Sequence, residues 1–81
     1  MLTRREHIKQ IISDTAKANL MSYRELKGGH SAREYRARKA AILRVHEQYP
    51  SLSSTQLGLV FGRHHTSILY AMGRLTKRRD R

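Results

Sequence analysis

The run from Leu57 to Leu75, LGLVFGRHHTSILYAMGRL, limits the possible folds more than any other part of the chain, because two apolar segments of helical period meet at one glycine. Leu57 and Phe61 stand four apart and share a face, with Val60 beside them, and Ile68, Met72 and Leu75 repeat that spacing in the second segment. Gly62 is free to take the positive φ that a tight turn between two helices demands, and Gly58 lets the second helix approach closely. The pattern predicts a helix-turn-helix. On a wheel of about 100° per residue, Thr66, Ser67, Tyr70 and Arg74 fall opposite the Ile68, Met72, Leu75 stripe, with His64 and His65 in the first turn. A polar, cationic face is left for a partner.

The rest of the chain is punctuated by four capping boxes, in which a hydroxyl residue is followed three positions later by Glu or Gln and each side chain satisfies an orphan backbone donor. Thr3 with Glu6 opens a helix that carries Ile8, Ile11, Ile12, Thr15 and Ala16 and fades near Asn19, with Leu20 and Met21 packing at its end. Ser22 with Glu25 starts one or two turns that Gly28 and Gly29 stop. Ser31 with Glu34 precedes a long helix bearing Tyr35, Ala41, Ile42, Val45 and Tyr49 on one side, and Arg33, Arg36, Lys39 and Arg44 on the outside, until Pro50 ends it. Ser53 with Gln56 opens the first helix of the central motif. The last helix has Arg63 and His64 at its start in place of a box, so its backbone donors are expected to remain open to an external phosphate.

With no repeat and no strand-like alternation, the expected fold is all-α: a small helical domain of about five helices containing the helix-turn-helix. One domain spans 1–81, made of an N-terminal helix and short connecting helix (1–29), the long helix plus helix-turn-helix (31–75) and a frayed basic tail (76–81). Such a length leaves no room for a separate catalytic domain. Charge then narrows the partners. The 17 Lys and Arg residues against 6 Asp and Glu give +11 with neutral His, which points to polyanions. After Glu47 no carboxylate occurs until Asp80, so the whole motif lies in an acid-free span.

Cysteine is absent, which removes disulfides and thiolate metal sites. No run of about 18 apolar residues could span a bilayer, and MLTRREHIKQ lacks the apolar stretch of a signal peptide, so no membrane role is expected. Adjacent His64 and His65 invite a metal, but side chains at i and i+1 on a helix diverge by about 100° and no second pair stands four residues on. Neither a Ser, His and Asp arrangement nor a carboxylate pair supports catalysis, and no cofactor or small-molecule ligand is expected. Tyr23, Tyr35 and Tyr49 fit the edge of the small core, while Tyr70 faces outward.

From Arg38 to Leu75 the chain resembles the C-terminal DNA-binding domain of DnaA, the bacterial chromosomal replication initiator. The residues that carry the resemblance are Arg38-Lys39-Ala40-Ala41-Ile42-Leu43, then Ser53-Ser54-Thr55-Gln56-Leu57-Gly58, Phe61-Gly62 and Arg63-His64-His65-Thr66-Ser67-Ile68-Leu69. It implies an all-α, Trp-repressor-like fold that binds double-stranded DNA. Carried over, His65 and Thr66 read base edges in the major groove, and Arg38 reaches the minor groove or the backbone. The family's signature Asp is His64 here, which replaces an acceptor for a cytosine amino group with a possible donor or cation and makes His64 a third base-reading candidate. One Gly is missing before Arg63, and Gly73 stands where the family usually has a longer side chain. No GxxxxGK[ST] loop occurs, so ATPase chemistry is not expected of this chain.

A recognition helix delivers its N-terminal side chains to bases while surrounding groups hold the backbone. That assigns His64, His65 and Thr66 to bases, and Lys39, Arg63, Ser67, Tyr70, Arg74 and Lys77 to phosphates. The plainer alternative is that Thr66 and Ser67 cap the helix, His65 packs, and the cations serve solubility. The expected function is sequence-specific binding of double-stranded DNA in a bacterial or phage-infected cytoplasm, at the nucleoid, as a transcription regulator or a modulator of replication initiation, with a possible protein partner at promoter or origin. The alternatives are a basic RNA-binding or ribosome-associated protein, a protein-interaction adaptor and, last, a small hydrolase.

Overall fold

Four of the five helices begin where a hydroxyl side chain accepts from a backbone donor three residues on. In the computed structural model, which describes residues 2–73, Thr3, Ser22, Ser31 and Ser53 are the N-caps of α1 (Arg4–Ala18), α2 (Tyr23–Gly28), α3 (Ala32–Gln48) and α4 (Ser54–Phe61). In each, the Glu or Gln three positions later returns a bond to the cap's backbone N–H. A fifth helix, α5 (His65–Ala71), follows the turn after α4, and the described residues form no strand. The all-α fold, with five helices among the described residues, is therefore as the sequence pattern requires.

The apolar stripes meet in one core. α1 packs on α3, α2 bridges both, and α4 and α5 form a pair joined to α3 through α5. Ile12, Leu26, Val45, Leu57, Phe61 and Ile68 are at most 1% exposed, and burying each such side chain is worth about 1.5–3 kcal/mol. At the far end of α3, the Tyr49 hydroxyl bonds His7 Nδ1 and the two rings meet edge to face at 5.6 Å, pinning the start of α1. Thr15, buried in α1, donates to Ile11 O and accepts from Arg44 Nη1, so Arg44 is engaged with α1 and is not merely an outer cation.

Several local expectations are corrected. Leu20 does not pack: it is 86% exposed with φ +57. It holds the left-handed position of a Schellman closure, in which Leu20 N–H donates to Lys17 O and Met21 N–H to Ala16 O. Met21 and Ala16, the apolar pair that such a closure brings together, are both buried. Gly28 is the last residue of α2 and Gly29, its C-cap, is extended, so no left-handed glycine stops that helix. Tyr35 is 45% exposed, whereas Tyr23 and Tyr49 pack against the core as the pattern predicts. α5 is shorter than its stripe implied: it stops at Ala71, with Met72 as C-cap and Gly73 at φ +75. Leu75 lies outside the described residues.

Candidate nucleic-acid interface

The turn between α4 and α5 is fixed by backbone contacts that only glycine allows. Gly62, at φ +66, ends α4 in the left-handed region, where a Cβ is disfavoured. Gly58 lies directly under the carbonyl of Arg63, so a Cβ there would overlap backbone atoms, and the Arg63 N–H returns to Gly58 O at 2.8 Å. The close approach expected of Gly58 is thus made by the turn itself. The first residues of α5 are in this way presented from a fixed base: His64, His65 and Ser67 are exposed, and Thr66 and Tyr70 are partly buried.

The start of α5 is capped, contrary to the expectation of open donors. His64 is the N-cap, extended at φ −67 and ψ 150, and its Nδ1 accepts from Thr66 N–H at 3.2 Å. The Thr66 hydroxyl lies 3.0 Å from the same nitrogen. An Nδ1 that accepts carries no proton, so the ring's N–H lies on Nε2, a donor on an exposed side chain. Because His64 precedes the helix, its ring does not splay from that of His65: the centroids are 4.3 Å apart at 36°. A positional signal existed in the sequence, since Nδ1 is separated from Cα by the same number of bonds as the side-chain oxygen of Asn or Asp, the usual caps.

Two arginines expected to face a polyanion are turned toward the protein. Arg38, 8% exposed, donates through Nη1 to Leu26 O at 2.8 Å and Gly29 O at 3.0 Å. Arg63 donates through Nη2 to Lys27 O at 3.0 Å and Gly29 O at 3.4 Å, and its buried Nε has no partner. Together they close the C-terminal carbonyls of α2, the end that no left-handed glycine satisfies. Burial first, and then the Arg63 charge, hold the Arg38 guanidinium below its ordinary pKa, while Glu34 and Tyr35 act the other way. The physical reason for the inward turn is the row of α2 carbonyls, which attracts cations as any helix C-terminus does.

Lys39 stays exposed. With Tyr35, Arg38, Arg63 and Ser67 it lines a cleft of about 110 Å³ between α3 and α5. Four of the predicted contact residues thus meet around one recess, two of them as parts of its wall. Arg74 and Lys77, with the rest of the basic tail, lie outside the described residues.

Chemically the arrangement offers a row of small donors and acceptors on a rigid turn, beside a recess carrying three cationic side chains and no carboxylate. Among the described residues no group of three His, Cys, Asp or Glu side chains gathers as metal ligands would, and no helix is long and apolar enough to cross a membrane. No family model, curated protein or solved structure matches this chain.

Proposed function

We propose that this chain binds double-stranded DNA in a sequence-dependent way through the helix-turn-helix formed by α4 and α5, in the manner of the DnaA C-terminal domain that its sequence resembles. The observation that carries the reading is the start of α5: His64, His65, Thr66 and Ser67 stand on a turn fixed by Gly58 and Gly62, within a span that holds no carboxylate from residue 48 to residue 79. A helix end of this kind enters the major groove with its first residues at the bases. The Thr66 methyl suits a thymine methyl, and an imidazole donor suits purine N7 or O6. His64, exposed and with its N–H on Nε2, stands where the family has an acceptor, so the preferred bases differ from those an Asp would select.

Lys39, Ser67 and Tyr70 are assigned to the phosphate backbone. Arg38 and Arg63 act one step back, by holding the α2 end and the turn in place. The protein works by occupancy in a bacterial or phage-infected cytoplasm: bound at a promoter it regulates transcription, and bound at an origin it modulates initiation. Selection of duplexes from a random pool, with structured RNA as competitor, tests this. An enriched motif is expected. His65→Ala and Thr66→Ala should each reduce preference for it by about 1–3 kcal/mol per lost base contact, while Lys39→Ala weakens all duplexes alike. Equal losses on selected and random DNA for all three variants would refute base reading, and a pool without a motif would favour the RNA-binding alternative.

A further inference from the structure

A second recess lies away from α5. It is a groove of about 430 Å³ bounded by the first turns of α1, by α2 and by α4, and none of its lining residues belongs to α5 or to the turn before it. Its floor is apolar: Ile8 and Leu52 are buried, Val60 is partly buried, and Leu59 projects at 80% exposure. Its rim is cationic, carrying Arg4, Arg5, Lys9 and Lys27, and no lining residue is acidic. Arg4 and Arg5 occupy the first turn of α1, where the helix's own field is positive and cations are disfavoured. Among the described residues neither side chain makes a hydrogen bond within the domain.

We propose that this groove docks an acidic amphipathic helical segment of a partner protein, its apolar residues against Leu59, Val60 and Leu52 and its carboxylates toward Arg4, Arg5, Lys9 and Lys27. Apolar anchors at i, i+3 or i+4, and i+7 are what a groove of this form accepts. A nucleic-acid backbone would satisfy the rim and leave Leu59 without a partner. A second copy of this chain is a poor occupant, since four of its six carboxylates are engaged, Glu6, Glu25 and Glu34 in capping boxes and Asp14 as acceptor from Gln10, against 17 Lys and Arg. The inference does not depend on DNA recognition by α5.

The test is selection from a displayed library of random peptides about 16 residues long, roughly four helical turns, on the full chain, followed by mapping of the winning peptide with amide NMR shifts. Expected are net-negative sequences with apolar residues at helical spacing, and shifts concentrated at Arg4, Lys9, Lys27 and Leu59. Binding should fall about ten-fold or more on Leu59→Ser, as for loss of a central anchor, while duplex affinity is unchanged. Leu59 is exposed, so the variant should retain the parent's helical circular dichroism. Failure to enrich any motif, equal binding to Leu59→Ser, or shifts spread over the cationic surface would overturn the proposal. So would duplex DNA shifting the groove residues, since that would assign the groove to nucleic acid. Because duplex affinity is read separately, failure here leaves the role of α5 intact.

Discussion

Leu20 sits in the left-handed region with its side chain almost wholly in solvent, so its backbone is strained and its side chain gains little. The left-handed conformation costs a residue with a Cβ about 1–2 kcal/mol, and glycine gives back about 0.5–1 kcal/mol through its greater unfolded-state freedom. Leu20→Gly is therefore expected to stabilise the protein by about 0.5–1 kcal/mol in urea unfolding; a loss of stability would mean that the exposed side chain has a partner. The same accounting runs in reverse at Gly62, already glycine at φ +66. His64 presents a different single-residue question, because one nitrogen caps α5 while the side chain is exposed and keeps the other as a donor. Removing the cap with His64→Ala should cost about 1 kcal/mol, while His64→Asp should keep it. Both changes alter DNA preference if His64 reads a base. Stability and selectivity thus separate at this position, and the two variants measured by unfolding and by duplex selection would distinguish a cap from a contact.

At the scale of the helix, the capping boxes join stability to pH. In Glu34 the backbone bond from Ser31, and next its hydroxyl, hold the carboxyl below its ordinary 4.5, and Thr3 does the same for Glu6. A carboxylate whose folded pKa is depressed contributes stability that is fully present above the unfolded value and is lost as pH falls through the folded one. The thermal midpoint should accordingly decline as pH drops below about 4.5. Glu34→Gln should make that decline shallower while preserving the box, as the neutral Ser53 and Gln56 pair already does; an unchanged pH profile would remove Glu34 from the account. These boxes, and with them four helix starts, were legible in the sequence because their partners are three residues apart. The inward turns of Arg38 and Arg63 were not, because their acceptors lie 12 and 36 residues away and exist only once α2 has packed on α3. Leu57, Phe61 and Ile68 could be read as core from period alone. Tyr35 could not, since its face of α3 borders a cleft that α5 only partly closes. The face of α5 was legible; its cap carried a positional signal in the reach of Nδ1, but histidine is not among the usual cap residues, so the sequence pattern alone did not single it out.

For the molecule as a whole, the net charge overstates what is available to a polyanion. Arg33 donates to the carbonyls of Asn19 and Leu20, Arg44 to Thr15, and Arg38 and Arg63 to the end of α2, so among the described residues four arginine side chains are committed to the protein's own acceptors. A cation engaged in this way displaces few counterions when DNA binds, and the salt dependence of affinity counts only those that do. Lys39, exposed and without such a bond among the described residues, should behave as a phosphate contact. Lys39→Ala is expected to reduce the slope of log affinity against log salt by about 1 and leave the unfolding midpoint where it is. Arg38→Ala should do the opposite. Its loss strips donors from two carbonyls at a packed helix end, a cost of about 1–3 kcal/mol in stability, with the salt slope unchanged when binding is measured well below the melting temperature. If Arg38→Ala instead lowers the salt slope and spares stability, the guanidinium leaves the α2 carbonyls on binding and reaches DNA, as the resemblance implies. The two variants read by the same pair of measurements therefore decide whether Arg38 holds the interface together or forms part of it.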